Sequence, residues 1–137
     1  MINGVGVDIL EKERVFTIHK KYGKRFQERV LGDSEIKAIE GKSLNNQIRF
    51  ISNNFACKEA VAKALGLGFT EGISLKEIEI LRKPSGQPFI TLNGNTDKVA
   101  KNIGIKKFHV SISDTKKLSM AFVAVSYTHL TLPTKSS

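Results

Sequence analysis

Glu59 and Lys63 stand four residues apart in the stretch Asn54–Gly68, NFACKEAVAKALGLG. On a helix that spacing puts both side chains on one face. By itself the pair reads as an ordinary surface ion pair, contributing about 0.3–0.5 kcal/mol. A second carboxylate, Asp8, follows two glycines in GVGVDIL. Alternation puts Val5, Val7 and Ile9 on one side of a strand and Gly4, Gly6 and Asp8 on the other. Two readings stand for that bare second face. It leaves room for a ligand or metal beside Asp8, or a helix covers it and Asp8 is a solvated strand end. Cys57 falls on an apolar stripe with Val61, Ala64, Leu65 and Gly68, where a free thiol usually packs and does no chemistry. The loop Gly66–Gly72 has amides that could approach a phosphate. No zinc-type Cys/His array and no complete phosphate-loop or dinucleotide fingerprint is present.

These residues need elements to hold them. Ile2–Leu10 reads as a strand. Lys12–Gly23 reads as a helix, Lys24–Leu31 as a second, and a third starts near Glu35, capped by Asp33 or Ser34. The longest helix is expected from about Asn46 to Leu65, ended by Gly66 and Gly68 in left-handed conformations. Ile78–Arg82 and Pro88–Leu92 form a hairpin around Pro84–Ser85–Gly86. Asn95–Asn102 makes a short helix capped by Asn95 or Thr96. Lys107–Ser113 and Leu118–Val125 alternate as a second hairpin, expected at the centre of the sheet.

The 137 residues suit one domain, with 40% hydrophobic and 26% charged residues. No apolar run approaches a membrane span, and no membrane partner is expected. One cysteine makes no internal disulfide, so a reducing, cytoplasmic setting is the default. The net charge of +9 points to acidic partners. Between Lys12 and Arg29 seven basic residues stand against two glutamates. Aromatic platforms for single strands are scarce, with no Trp and two Tyr.

Four segments, taken in order, resemble the holo-acyl-carrier-protein synthases, the short bacterial type of 4′-phosphopantetheinyl transferase. They are GVGVDILEKERV at Gly4–Val15, FACKEAVAKALGLG at Phe55–Gly68, IEIL…GQPFITL across the first hairpin, and HVSISDTKKLSMAFVAV at His109–Val125. The resemblance implies an α+β fold, a long central helix packed on a small, mostly antiparallel sheet. It implies transfer of 4′-phosphopantetheine from coenzyme A to a serine of apo acyl carrier protein, releasing adenosine 3′,5′-bisphosphate. The family's metal ligands fall on Asp8 and Glu59, which suit Mg²⁺. Its catalytic cation falls on Lys63, with Glu59 a candidate base. Coenzyme A contacts are implied for Lys63, Gly66, Gly68, Pro88, His109 and Ser111. The surface for the acidic carrier protein is implied at Arg14, Lys21, Lys24 and Arg25. Short members form homotrimers with sites between subunits.

The chain also departs from the family pattern. Asn54 replaces an Arg, Gln87 a Lys, Leu67 a Thr, and Asp114 the His of S-x-S-H. The domain is expected to span residues 1–125. From Ser126 the pattern breaks, and VSYTHLTLPT resembles a translated sequencing adapter. That tail, residues 126–137, is expected to be irregular and non-native. Two competing readings remain: a basic nucleic-acid-binding module, and a relative that keeps the fold without turnover. The first predicts duplex binding independent of Asp8 and Glu59, and no nucleic acid is expected as partner if the resemblance holds.

Overall fold

The computed structural model describes residues 1–127. In chain order it runs β1 (Gly4–Glu11), α1 (Lys12–Tyr22), α2 (Lys24–Val30), α3 (Asp33–Ile39) and α4 (Leu44–Leu65). Two single-turn 3-10 helices follow, then β2 (Ile78–Arg82), β3 (Pro88–Leu92), α5 (Gly94–Asn102), β4 (Ile105–Asp114) and β5 (Leu118–Tyr127). The class is α+β. The strands form two antiparallel sheets, one ordered β1-β5-β4 and the other β2-β3. β5 takes the centre of the larger sheet, and β4 becomes an edge.

α4 is the central beam. The Ser43 hydroxyl accepts the Asn46 amide at 3.2 Å, so the helix starts two residues before the expected Asn46. Gly66, at φ 74°, ends it, and its amide donates to the carbonyls of Ala62 and Lys63. Gly68 does not share that task. Its φ is −95°, and it opens the 3-10 turn Phe69–Glu71. Cys57, Val61, Ala64 and Leu65 are buried against Ala121, Val123, Val125, Ile78 and Ile80, as the stripe predicts; Gly68 is exposed. A second apolar cluster joins Val15, Phe26, Val30, Leu31 and Ile39 to Ile48 and Ile51 of α4.

β1 lies directly on α4, and its glycines are the reason. A Cβ on Gly6 would overlap the Ala60 carbonyl oxygen, and one on Gly4 would overlap that of Ala64. The bare face is therefore covered by a helix up to Asp8, which emerges past the last glycine. The opposite face of the sheet carries Val5, Val7, Ile9, Leu118, Met120 and Phe122, all exposed.

Three local expectations change. α3 starts at Asp33 after Gly32, and its N-terminus is served by Glu35, whose Oε1 accepts the Gly32 amide at 3.0 Å. Neither Asn95 nor Thr96 caps α5. Glu77 reaches over from before β2 and accepts the Thr96 amide at 3.0 Å and its hydroxyl at 2.8 Å. β5 continues through Ser126 and Tyr127, two residues past the expected break. Those residues pair with Lys107 and Ile105, and the Tyr127 amide donates to Asn3 Oδ1 at 3.0 Å. The remainder of the expected tail lies outside the described residues.

Candidate active site

Asp8 is brought to the last turns of α4 by the close seating of β1. Lys63 Nζ lies 3.0 Å from Asp8 Oδ1 and 3.1 Å from the Val7 carbonyl oxygen. Glu59 sits one turn earlier on the same helix face and is half-buried. Its carboxyl is held above the ordinary carboxylate value, first by burial, then by the charge of Asp8, with Lys63 opposing both. Asp8 and Glu59 are thus electrostatic neighbours that press on one another. The expected partner of Lys63 was Glu59 through i,i+4 spacing, but the close ion pair runs between elements, from Lys63 to Asp8.

That pair of carboxylates has the chemistry of a hard-cation site. Oxygen donors of like charge, partly desolvated, favour a bound cation. Among the described residues no group of three or more His, Cys, Asp or Glu is placed to hold a metal. Mg²⁺ needs no such cage, since it keeps waters and takes one or two carboxylates plus substrate phosphate. The residues present fit it.

Behind the site is a buried ion pair that the periodicity did not reveal. Lys58 Nζ reaches Glu35 Oε1 at 2.6 Å, with both side chains fully buried. The ammonium also donates to the carbonyls of Leu75 and Ile78. Glu35 Oε2 accepts Asn54 Nδ2 at 2.8 Å and the Ile80 amide at 3.1 Å. This network ties α4 to α3 and β2 at the turn that carries Glu59. The departure at Asn54 is explained here: its side chain points into the network and donates to the Ile80 carbonyl at 2.9 Å.

A second group of expected residues converges elsewhere. A cleft of about 580 Å³ between β3 and β4 is lined by Pro88, His109 and Gln87, with Lys83, Lys106 and Lys107. It stays basic without a lysine at position 87. Ser111 lies two residues beyond His109, exposed, in register with Phe122. Asp8 pairs in register with Ala121 on the helix-covered face, whereas His109 pairs with Ala124. In one chain, Asp8 and His109 therefore occupy opposite faces and opposite edges of the sheet. The Gly66 amide is consumed by the helix end, and the Gly68 amide faces Glu71 Oε1 at 3.4 Å. The amides of Gly66, Leu67, Gly68 and Glu71 are turned to oxygens of the chain itself. Leu67 packs half-buried against the core, which accounts for an apolar residue there.

Asp114 makes its own cluster. Its carboxylate binds Lys12 Nζ at 2.7 Å and Arg49 Nε at 2.7 Å. The Arg49 guanidinium first, with Lys12, holds the carboxyl down to about 2. Cys57 is fully buried, and burial pushes its thiol up to about 12, so it is no nucleophile at neutral pH.

Arg14 and Lys21 on α1, and Lys24 and Arg25 on α2, are all exposed, and none joins an ion pair among the described residues. Beside them runs a groove of about 500 Å³, floored by Ile18, Tyr22 and Phe26 and edged by Arg25, Glu28 and Arg29. Ile18 and Tyr22, four residues apart on α1, share the face that forms this floor with Phe26 of α2.

Comparison with known proteins follows the same outline. The family model of the 4′-phosphopantetheinyl transferase superfamily matches residues 4–123. The chain belongs to this superfamily. A holo-[acyl-carrier-protein] synthase of Maridesulfovibrio salexigens is 39% identical over 125 residues, covering 91% of this chain and 98% of the relative. A crystal structure of the Neisseria meningitidis holo-[acyl-carrier-protein] synthase superposes with a TM-score of 0.83 at 31% identity, covering 92% of this chain and 99% of that one. The Helicobacter pylori enzyme, solved in complex with coenzyme A, gives 0.75 at 32% identity, over 89% of this chain and 99% of its own. Within the superfamily the chain therefore falls among the holo-acyl-carrier-protein synthases, and the resemblance drawn from four short segments holds over the whole domain. Among the described residues no helix is long and apolar enough to cross a membrane.

Proposed function

We propose that this chain transfers the 4′-phosphopantetheine arm of coenzyme A to a serine hydroxyl of an acidic apo acyl carrier protein, with Mg²⁺, releasing adenosine 3′,5′-bisphosphate. The observation that carries the proposal is the convergence of Asp8, Glu59 and Lys63 at the end of α4. Asp8 and Glu59 hold the cation. When bound, Mg²⁺ supplies charge neutralisation at the coenzyme A pyrophosphate. Lys63 places an ammonium within reach of the same pyrophosphate and offsets the charge that grows on the departing bisphosphate. The serine oxygen forms a bond to the β-phosphorus, and the bond to the bridging pyrophosphate oxygen breaks. Glu59, whose carboxyl is held above its ordinary value by burial and by the charge of Asp8, is a candidate acceptor for the serine proton.

Pro88, His109 and Ser111, with the lysines of the β3–β4 cleft, are the nucleotide end of this reading. Gly66 and Gly68, at the end of α4 that carries Lys63, are assigned to the same ligand by the family pattern. Since Asp8 and His109 lie on opposite faces of one sheet, a shared coenzyme A requires a second copy of the chain. The exposed apolar face of β1 and β5 supports a homotrimer, the form expected of short members. Arg14, Lys21, Lys24 and Arg25 form the landing surface for the carrier protein, and the Ile18–Tyr22–Phe26 groove takes an apolar side chain from it. A reducing, cytoplasmic setting accords with the free buried thiol of Cys57.

The test is mass spectrometry of apo carrier protein after incubation with this chain, coenzyme A and Mg²⁺. A gain of one phosphopantetheine arm is expected. Asp8→Ala and Glu59→Ala are expected to abolish the gain while the far-ultraviolet circular dichroism stays unchanged. Full transfer by either variant would remove that residue from the metal site.

A further inference from the structure

We propose that Lys63 is an internal counter-cation for Asp8 that a divalent ion displaces, so that metal binding itself frees the Lys63 ammonium for the substrate. The proposal rests on the reading of Asp8 and Glu59 as the cation site and adds a second state for Lys63.

Three observations carry it. Lys63 Nζ holds Asp8 Oδ1 at 3.0 Å and the Val7 carbonyl oxygen at 3.1 Å, so the ammonium sits on the same carboxylate that the cation needs. The pair is accessible: the Lys63 side chain is 54% exposed and Asp8 21%. An ion reaches it from solvent without unfolding anything. Finally, Glu59 feels both Asp8 and Lys63, which places all three charges in one electrostatic group.

Two cations on one carboxylate repel. A divalent ion and an ammonium about 4 Å apart interact unfavourably even at the dielectric of water. The exposed Lys63–Asp8 pair is weak by comparison, so the divalent ion takes Asp8 and the lysine swings out. Its stem has four methylenes and is rooted near the end of α4, two residues before Leu65. Rotation about that stem needs no movement of the helix. The freed ammonium remains one turn from Glu59, at the place where an anionic substrate meets the site.

The arrangement has a measurable signature. Lys63 weakens the site for the ion while serving the reaction. Removing its charge therefore strengthens metal binding and slows transfer at the same time, whereas a lysine that merely supports the fold would weaken both.

The experiment is a Mn²⁺ titration of the full chain without coenzyme A, with free Mn²⁺ followed by electron paramagnetic resonance. The variants are Lys63→Met, Lys63→Arg and Asp8→Asn. Lys63→Met is expected to bind roughly 10-fold tighter than the parent. Lys63→Arg, which keeps the charge, is expected to stay within about 3-fold of it. Asp8→Asn is expected to lose binding. If Asp8→Asn abolishes binding but Lys63→Met binds no tighter than the parent, the counter-cation role is overturned and the cation site stands. If the parent binds Mn²⁺ as well as Asp8→Asn does, the cation site itself fails and this inference fails with it.

Discussion

Lys58 reaches Glu35 across 2.6 Å in a place where neither side chain meets solvent. Burial drives the Lys58 ammonium down, and Glu35 partly restores it by charge and hydrogen bond. Three acceptors satisfy the ammonium and four donors satisfy the carboxylate. Breaking the pair leaves an uncompensated charge in the core. Lys58→Met is expected to destabilise the chain by about 3–5 kcal/mol, read as a lower urea midpoint. The double variant Lys58→Met with Glu35→Leu is expected to recover part of that loss. A midpoint unmoved by the single change would mean that the network carries no stability.

Gly6 of β1 leaves no room for a Cβ against α4, and the obstacle to a side chain there is backbone. Gly6→Ala forces the strand away from the helix. It is expected to cost about 1–3 kcal/mol and to lower phosphopantetheine transfer well beyond the loss of folded protein, because Asp8 moves with the strand. Thermal unfolding and transfer measured on one preparation separate the two effects. Equal activity per folded molecule would show that the seating of β1 does not set the position of Asp8.

Asp114 has its carboxyl depressed from 3.8 to about 2 by Arg49 and Lys12. A depressed carboxyl contributes stability that is complete above its unfolded value and disappears as pH falls through its folded value. The contribution, about 1 kcal/mol after solvent screening, should therefore be present at pH 5 and fade between about 4 and 2. Asp114→Asn is expected to be less stable at pH 5 and to converge on the parent near pH 2. Parallel stability curves over that range would exclude the linkage.

The four exposed basic residues on α1 and α2 act at a distance, so they should govern encounter more than chemistry. Reversing Arg14 and Lys21 to Glu is expected to raise the KM for carrier protein by roughly 10-fold, with kcat nearly unchanged. Added salt should shrink the difference between variant and parent. A KM insensitive to both changes would move the docking surface elsewhere.

Phe122 stands exposed in the middle of the apolar sheet face, with Val7 as its register partner on β1. If copies of the chain associate through this face, Phe122→Lys is expected to yield monomers in light scattering while the circular dichroism is retained. Loss of transfer on forming monomers would follow from the separation of Asp8 and His109. A variant that stays oligomeric would remove this face from the interface.

Much of the local architecture was legible without coordinates. The alternation in Gly4–Leu10, the Ala-rich run before Gly66 and the turn around Gly86 each carry their period in a short window. The β2–β3 hairpin falls where the sequence puts it. Less was legible where a side chain serves another element. Asn54 is a departure from the family pattern whose role its own position does not reveal, and it is part of the buried network. Asp114 stands at the His position of the S-x-S-H pattern and clamps Lys12 and Arg49.

The amino-acid order alone determined which residues share a face: Glu59 with Lys63 on a helix, Asp8 with Gly4 and Gly6 on a strand. Periodicity is a property of the backbone, set by 3.6 and 2 residues per repeat, and needs no partner to be read. Only the folded chain decided what each face meets. It set β1 on α4, turned Lys63 to Asp8, buried Lys58 against Glu35, and put His109 on the far side of the sheet from Asp8. Those pairings join residues tens of positions apart, and they exist because burying the apolar stripe of α4 leaves one place for each strand.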